Sequence, residues 1–324
     1  MTSKEPSFAV VDGAQFPDLP ALIASARLEA WPLYRNDDPQ ERAAAPHMIG
    51  LSRFAGEEDL SVDALPSADV INVLRDALGD TPAMVVWQGC AHATLFQHLR
   101  GLNMVEVPRG TDTPVGPDYA MLDPSKPTAQ ASGAKVDGRG EYELILFRHA
   151  DPNVIAQILP ALDLPGWARF LGRTNGLAYT PADDWSDEAG THVAPRPGGL
   201  PETQRGWLRL ERETLERMAE VRLDRSARRI ARYLRKHAAT PTKGIDDQAL
   251  VKRARGYIDE ARDYGVQTEA GMGRWSYMQI TTRDGMLTDP SVRSVMSAQD
   301  PSMTPDERVK LLLRMSATST AGTI

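Results

Sequence analysis

The chain has 324 residues, 41% hydrophobic and 25% charged, the make-up of an ordinary folded protein with room for two lobes. Net charge is −7 and uneven: residues 1–185 hold 14 Lys+Arg against 25 Asp+Glu, and residues 186–324 hold 23 against 19, which argues against a nucleic-acid binder over the whole length. The single Cys90 excludes an internal disulfide and a multi-cysteine metal site, no apolar run reaches the length of a membrane span, and MTSKEPSF lacks a signal-peptide core, so a cytoplasmic protein is expected.

The first half alternates strand and helix patterns. Phe8–Val11 reads as a strand, and 19–30 as a helix with Leu19, Leu22, Ile23 and Ala26 on one face and Pro20 in its first turn. Met48–Leu51 is a second strand. Asp69 is placed to cap a helix Val70–Leu78 that stops at Gly79. Ala83–Trp87 is a third strand, Thr94–Arg100 a short helix closed by Gly101, and Val105–Val107 the start of a fourth strand. The segment 108–140 holds five prolines and five glycines without any period, and reads as a long surface loop. A strand Glu143–Phe147, a helix from Asn153 to about Leu159 and a strand near Ala178–Thr180 complete an α/β mixed N-terminal lobe, residues 1–180.

Residues 181–206 (PADDWSDEAGTHVAPRPGGLPETQRG) read as a linker. A mainly α-helical C-terminal lobe is expected at 207–315. Leu215, Ala219, Leu223, Ala227, Ile230 and Leu234 recur at helical spacing, and a second helix runs from about Asp247 to Tyr264. Trp275–Ile280 has the look of a strand, turned back as a hairpin at Asp284-Gly285. Helices follow from Asp289-Pro290 to about Ser297 and from Pro305 to about Arg314. The tail 316–324 is expected to be disordered.

No phosphate-binding loop, dinucleotide fingerprint, serine elbow or HExxH motif occurs, so no cofactor and no metal are expected. Cys90 sits in an apolar stretch and reads first as a buried structural thiol. Arg222, Arg225, Arg229, Arg232 and Arg235 form a stripe along one helix. It is either a face for phosphate or an acidic partner, or the solvated side of an amphipathic helix beside Glu220 and Asp224. No aromatic residue interleaves with these arginines to stack bases, which favours the solvated face. In ELILFRHADPNVI, Asp151 caps a helix that Pro152 begins. Arg148 has Asp151 or Asp12 as candidate partners. A His149–Asp151 pair would need a nucleophile, and no motif supplies one.

Read in order, FAVVDGAQFPDL, APHMIGL, VVWQGCAHATLFQHLRGLNMVEV and LFRHADPNVIAQILPAL resemble the type VI secretion adaptor-chaperones, bacterial proteins that help load a toxic effector onto the VgrG spike. The matching positions are Asp12-Gly13, Ala45-Pro46 with Met48 and Ile49, His98-Leu99-Arg100, and Phe147-Arg148 with Asp151-Pro152. ARDYGVQTE (261–269) and the Asp-Gly before Asp289-Pro290 resemble the family's back half. His47 departs from the family's usual aromatic. The resemblance implies an adaptor without catalysis, with two partners: the spike's C-terminal region and the effector's N-terminal region. Arg148, Arg222, Arg225, Arg229 and Arg232 are the candidate contact residues. Asp12, Gly13, Pro46, Phe147, Asp151 and Pro152 are expected to be structural. The alternative is a small hydrolase built on Cys90 with His92, or on His149 with Asp151.

Overall fold

A computed structural model describes residues 7–34, 38–51, 67–109, 141–203, 205–298 and 302–321. Contacts divide the chain into two units, the described residues up to Met218 and those from Ala219 onward. The first combines sheet and helix and the second is helical, as the sequence predicts.

The first unit is built on a six-stranded antiparallel sheet. Its strands are β1 (Ser7–Asp12), β2 (Ala30–Pro32), β3 (Pro46–Gly50), β4 (Met84–Gln88), β7 (Gly176–Tyr179) and β8 (His192–Pro195), in the order β2-β3-β1-β4-β7-β8. β1 lies inside the sheet and is covered on both faces. Phe8 and Val10 enter one apolar cluster with Val85 and Trp87, while Ala9 and Val11 enter another with Ile49 and Leu74. A strand buried on both faces has no polar side to show, and for that reason FAVV reads as a continuous apolar run. Helices α1 (Leu19–Ser25) and α3 (Ser67–Leu78) supply Leu19, Ile23 and Leu74 to the second cluster. Helices α4 (His92–Arg100), α5 (Pro152–Ile158) and α6 (Leu164–Leu171) supply Leu95, Ile155 and Phe170 to the first. A smaller sheet, order β6-β5-β9, joins β5 (Met104–Pro108), β6 (Tyr142–Leu146) and β9 (Leu208–Arg209).

The second unit holds most of α7 (Arg212–His237), then α8 (Ala239–Thr242), α9 (Asp247–Asp263), α10 (Glu269–Thr281), α11 (Pro290–Ser297) and α12 (Pro305–Ala321). Its core gathers Ile230, Leu234, Ile258, Trp275, Ile280 and Val309. Among the described residues no helix is long and apolar enough to cross a membrane.

Several expectations need correction. Trp275–Ile280 is not a strand: it lies inside α10, which buries Met272, Trp275, Ser276, Met278, Gln279 and Ile280. A helix buried nearly all round loses the one-sided periodicity that identifies helices, so its aromatic and β-branched residues imitate a strand. The Asp284-Gly285 turn is present, with Arg283 at φ 55° and Asp284 at φ 63°, but it leads into a 3-10 turn (Met286–Thr288) rather than a second strand. Asp69 lies within α3, so it is not the cap. The first helix stops at Ser25, and β2 takes part of the span assigned to it. The stretch 181–206 is not simply a linker: β8 pairs with β7 in it, and the division between units falls inside α7. α12 runs on to Ala321, through most of the tail expected to be disordered. The bulk of the expected loop, 110–140, lies outside the described residues. Also unforeseen were α2 (Pro39–Ala44), started by Asp38-Pro39, and α6, started by Asp163-Leu164-Pro165.

Candidate functional site

The segments singled out from the sequence converge at one end of β1. Asp12 is the last residue of that strand and faces Pro46 in register on β3. Its carboxylate accepts from the backbone N–H of Ala14 at 3.1 Å and from Arg148 through Nε at 3.1 Å and Nη2 at 2.5 Å. The same guanidinium lies 3.5 Å from Asp151. Asp151 caps α5 by accepting from Asn153 N at 2.9 Å, with Pro152 in the first turn. Next to Asp12, a Cβ on Gly13 would stand 2.3 Å from the Ala45 carbonyl oxygen and 2.4 Å from that of Ala43, so only glycine fits. Phe147 is buried and meets Phe170 edge-on at 6.3 Å.

This cluster is a clasp. One arginine, its own side chain 23% exposed, holds two carboxylates whose side chains are only 3% and 7% exposed. Burial pushes the Asp151 carboxyl above its usual range, and the Arg148 charge opposes that push. The Tyr34 hydroxyl is raised by burial and then by the Asp12 charge. Removing the arginine would leave two buried carboxylates facing each other, so Arg148 is committed to holding β1 against α5.

His149 is fully buried and does not pair with Asp151. Asn103 fixes its tautomer. The Asn103 amide Nδ2 donates to the Leu33 carbonyl at 3.0 Å, so its Oδ1 accepts, and His149 Nε2–H donates to it at 2.9 Å. Nδ1 has no hydrogen-bond partner among the described residues. Burial first, and then the proximity of His98, push the His149 imidazole down to about 3. His98 donates through Nε2 to the Phe170 carbonyl at 2.8 Å and is itself pushed down to about 4 by burial. Both rings are neutral near pH 7. The His149–Asp151 pairing of the hydrolase alternative is therefore not assembled. In the Cys90–His92 version the thiol is buried and pushed up by that burial. The His92 ring packs against Trp31 at 4.5 Å and against Phe8 and Phe96. Among the described residues no group of three His, Cys, Asp or Glu is arranged to hold a metal ion.

The arginine stripe on α7 is largely drawn into the second unit. Arg229 pairs with Glu269 on α10 at 3.1 Å. Arg235 donates to the Thr242 and Ile245 carbonyls and pairs with Asp247, all at 2.7 Å, closing the α8 turn. Arg222 and Arg225 are half-buried, and Arg232 is exposed. Glu220 and Asp224, on the same helix, pair with Arg255 on α9 at 2.5 and 2.7 Å.

The structure also assembles a cleft that sequence reasoning missed. A cavity of about 310 Å³ opens among α5, α6, β7, β8 and the 181–186 segment, lined by Trp167, Tyr179, Trp185 and His192, with Pro160 and Pro181 among the apolar neighbours. The Tyr179 and His192 rings stack at 5.6 Å, and His192 Nε2 is buried without a hydrogen-bond partner among the described residues. The only trace in the sequence was a tryptophan inside the acidic run DDWSDE, in a stretch read as linker. A second cavity, about 380 Å³, lies at the β2 edge between α1 and His47. His47 bonds through Nδ1 to the Ala45 carbonyl at 2.8 Å, and burial lowers its pKa.

No family model, curated protein or solved structure matches this chain.

Proposed function

We propose that the protein is a cytoplasmic adaptor-chaperone of type VI secretion. It binds the N-terminal region of an effector toxin and the C-terminal region of a VgrG spike, and loads one onto the other without catalysing a reaction. The reading rests on the residues that resemble that family, and one observation carries it. Asp12-Gly13, Ala45-Pro46 and Arg148 with Asp151-Pro152 are scattered over 140 positions of sequence, yet they meet in a single clasp. Chance likenesses in separate pieces would have no reason to share one set of contacts. A motif kept for the architecture of an adaptor domain would.

Of the candidate contact residues, Arg148 is engaged in the fold, and Arg232 is the exposed member of the α7 stripe. The test is co-expression with a VgrG spike and an effector toxin from the same organism, followed by affinity purification from either partner. Recovery of both partners, with the adaptor absent from secreted material, supports the proposal. Empty pull-downs with both partners overturn it.

A further inference from the structure

We propose that the outer edge of β6 docks an extended segment of a partner polypeptide, one with apolar residues at alternate positions and a lysine or arginine between them. Three observations select that occupant.

The first is the backbone. Arg109 N donates to the Glu141 carbonyl at 3.0 Å, and Phe147 N to the Asn103 carbonyl at 2.9 Å. Between them, Glu143 and Ile145 stand opposite Val107 and Val105. Inward and outward residues alternate in an antiparallel ladder, so Tyr142, Leu144 and Leu146 turn their N–H and C=O groups away from β5. Among the described residues these backbone groups have no hydrogen-bond partner. The other edges differ. β2 ends in Pro32 and β8 in Pro195, each where an N–H would point out of the sheet, and β9 has only two residues. Proline at an edge discourages further pairing. β6 has five residues and no proline, and a strand is what its outward groups accept.

The second is the row of side chains at that edge. Tyr142, Leu144 and Leu146 share one face of the strand, and Leu146 is 51% exposed. Tyr142 is already held. Its hydroxyl donates to Glu211 Oε2 at 2.6 Å, and the Arg209 guanidinium, paired with Glu106 at 2.7 Å, lies 4.1 Å from its ring centre. A row fixed before binding loses little freedom when a partner arrives. Apolar residues at positions one, three and five of an added antiparallel strand would lie beside Leu146, Leu144 and Tyr142.

The third is charge. Glu143, in the middle of β6, is partly buried, and its carboxylate has no ion pair or hydrogen bond among the described residues. The basic residues around it are placed otherwise. Arg209 pairs with Glu106, Arg148 with Asp12 and Asp151, and Arg109 stands opposite Glu141 in the ladder. An unanswered carboxylate turns away a wholly apolar strand and favours one with a base at position four, opposite Glu143. A second copy of β6, YELIL, brings another glutamate and no base, so it is the poorer occupant.

This goes beyond the adaptor reading and does not need it: the pull-downs can fail while such a strand binds, and the reverse. The experiment titrates the full chain into fluorescein-Thr-Val-Thr-Val-Lys-Val-Thr-amide and follows anisotropy. The core Val-Thr-Val-Lys-Val fills the five positions, and binding is expected to saturate. N-methylation of the central valine, whose N–H faces Leu144, should weaken binding at least about tenfold. N-methylation of the threonine before it, whose N–H points away, should change binding by less than about twofold. Exchanging the peptide's lysine for glutamate should weaken binding about fivefold, and Glu143→Lys should reverse that preference. Should Glu143→Lys fail to fold, Glu143→Gln takes its place and should abolish the preference. Equal effects of the two N-methyl groups, no saturation by about 2 mM, or an unchanged charge preference in the variant overturn the proposal. The chain alone should sediment as a monomer. A dimer that the peptide splits would give the edge to a second copy, and overturns the choice of partner.

Discussion

Replacing His149 by glutamine should make the protein less sensitive to mild acid. In the folded chain the His149 imidazole is held down to about 3, against 6.5 for an unburied ring. The sign follows from linkage. The unfolded chain binds this proton readily and the folded chain does not, so stability is full above 6.5 and falls as pH drops toward the folded value. Between pH 7 and pH 5 one such ring removes about 2 kcal/mol. His98, held at about 4, removes a similar amount over the same interval, so the two together cost about 4 kcal/mol. Asp151, raised by burial, works in the opposite sense, but it is common to parent and variant. Glutamine does not titrate and can still donate to Asn103.

The assay is urea unfolding at pH 7 and pH 5, followed by fluorescence. Trp87 is buried 6.4 Å from the His98 ring and reports on this unit. His149→Gln lowers stability at pH 7 by whatever the exchange costs, but the drop from pH 7 to pH 5 should shrink by about 2 kcal/mol. If parent and variant lose the same amount of stability on acidification, to within about 0.5 kcal/mol, His149 is not held neutral by burial. Its assigned tautomer and environment are then wrong.

Arg148→Ala should destabilise the first unit by about 3 kcal/mol, because Asp12 and Asp151 stay buried without their counter-charge, and Arg148→Lys should recover only part of that. A cost below about 1 kcal/mol in denaturant unfolding would place Arg148 among surface residues and free it for a partner. Gly13→Ala should lower the melting temperature by roughly 10 °C, since its Cβ has two carbonyl oxygens in its way; an unchanged melting temperature contradicts the packing of Gly13 on Ala43 and Ala45.

What was legible in the sequence follows from the range of the interactions. Helix starts were plain at Asp151-Pro152 and Asp289-Pro290, where the cap and the fixed φ act within a few residues and an apolar period follows; Asp38-Pro39 starts α2 in the same way but was passed over, because that six-residue helix buries no residue and shows no period. α7 and α9 were legible because each buries one face and leaves the other to water, so the period survives in the sequence. α10 was not, because Trp275 donates to Glu260 at 2.9 Å from one side while Met272, Met278 and Ile280 enter the core. Burial around the whole circumference erases the signal. β2 and β8 were missed for a different reason. Three- and four-residue edge strands take their place from pairing with β3 and β7, and nothing in AWP or HVAP requires it locally.

The same distinction of range explains why the arginine stripe stayed open to two readings and the cleft stayed hidden. A stripe of arginine on a helix has one composition whether it faces water, a partner or the chain itself. Here the deciding groups are Glu269, Asp247 and the Thr242 and Ile245 carbonyls, which lie 7 to 40 residues away from their partners along the chain. Glu220 and Asp224 sit close to α7's arginines along the chain, yet the fold also brings Arg255 of α9 to both of them. Arg148 shows the converse. Its charge, next to an apolar strand, left little choice but a buried carboxylate, and both candidates named from the sequence are the ones it holds. A buried charge must be answered, so it announces itself. A cleft made of tryptophan, tyrosine and histidine from four elements creates no such demand until the fold brings them together, so its chemistry had to be read from the assembled structure.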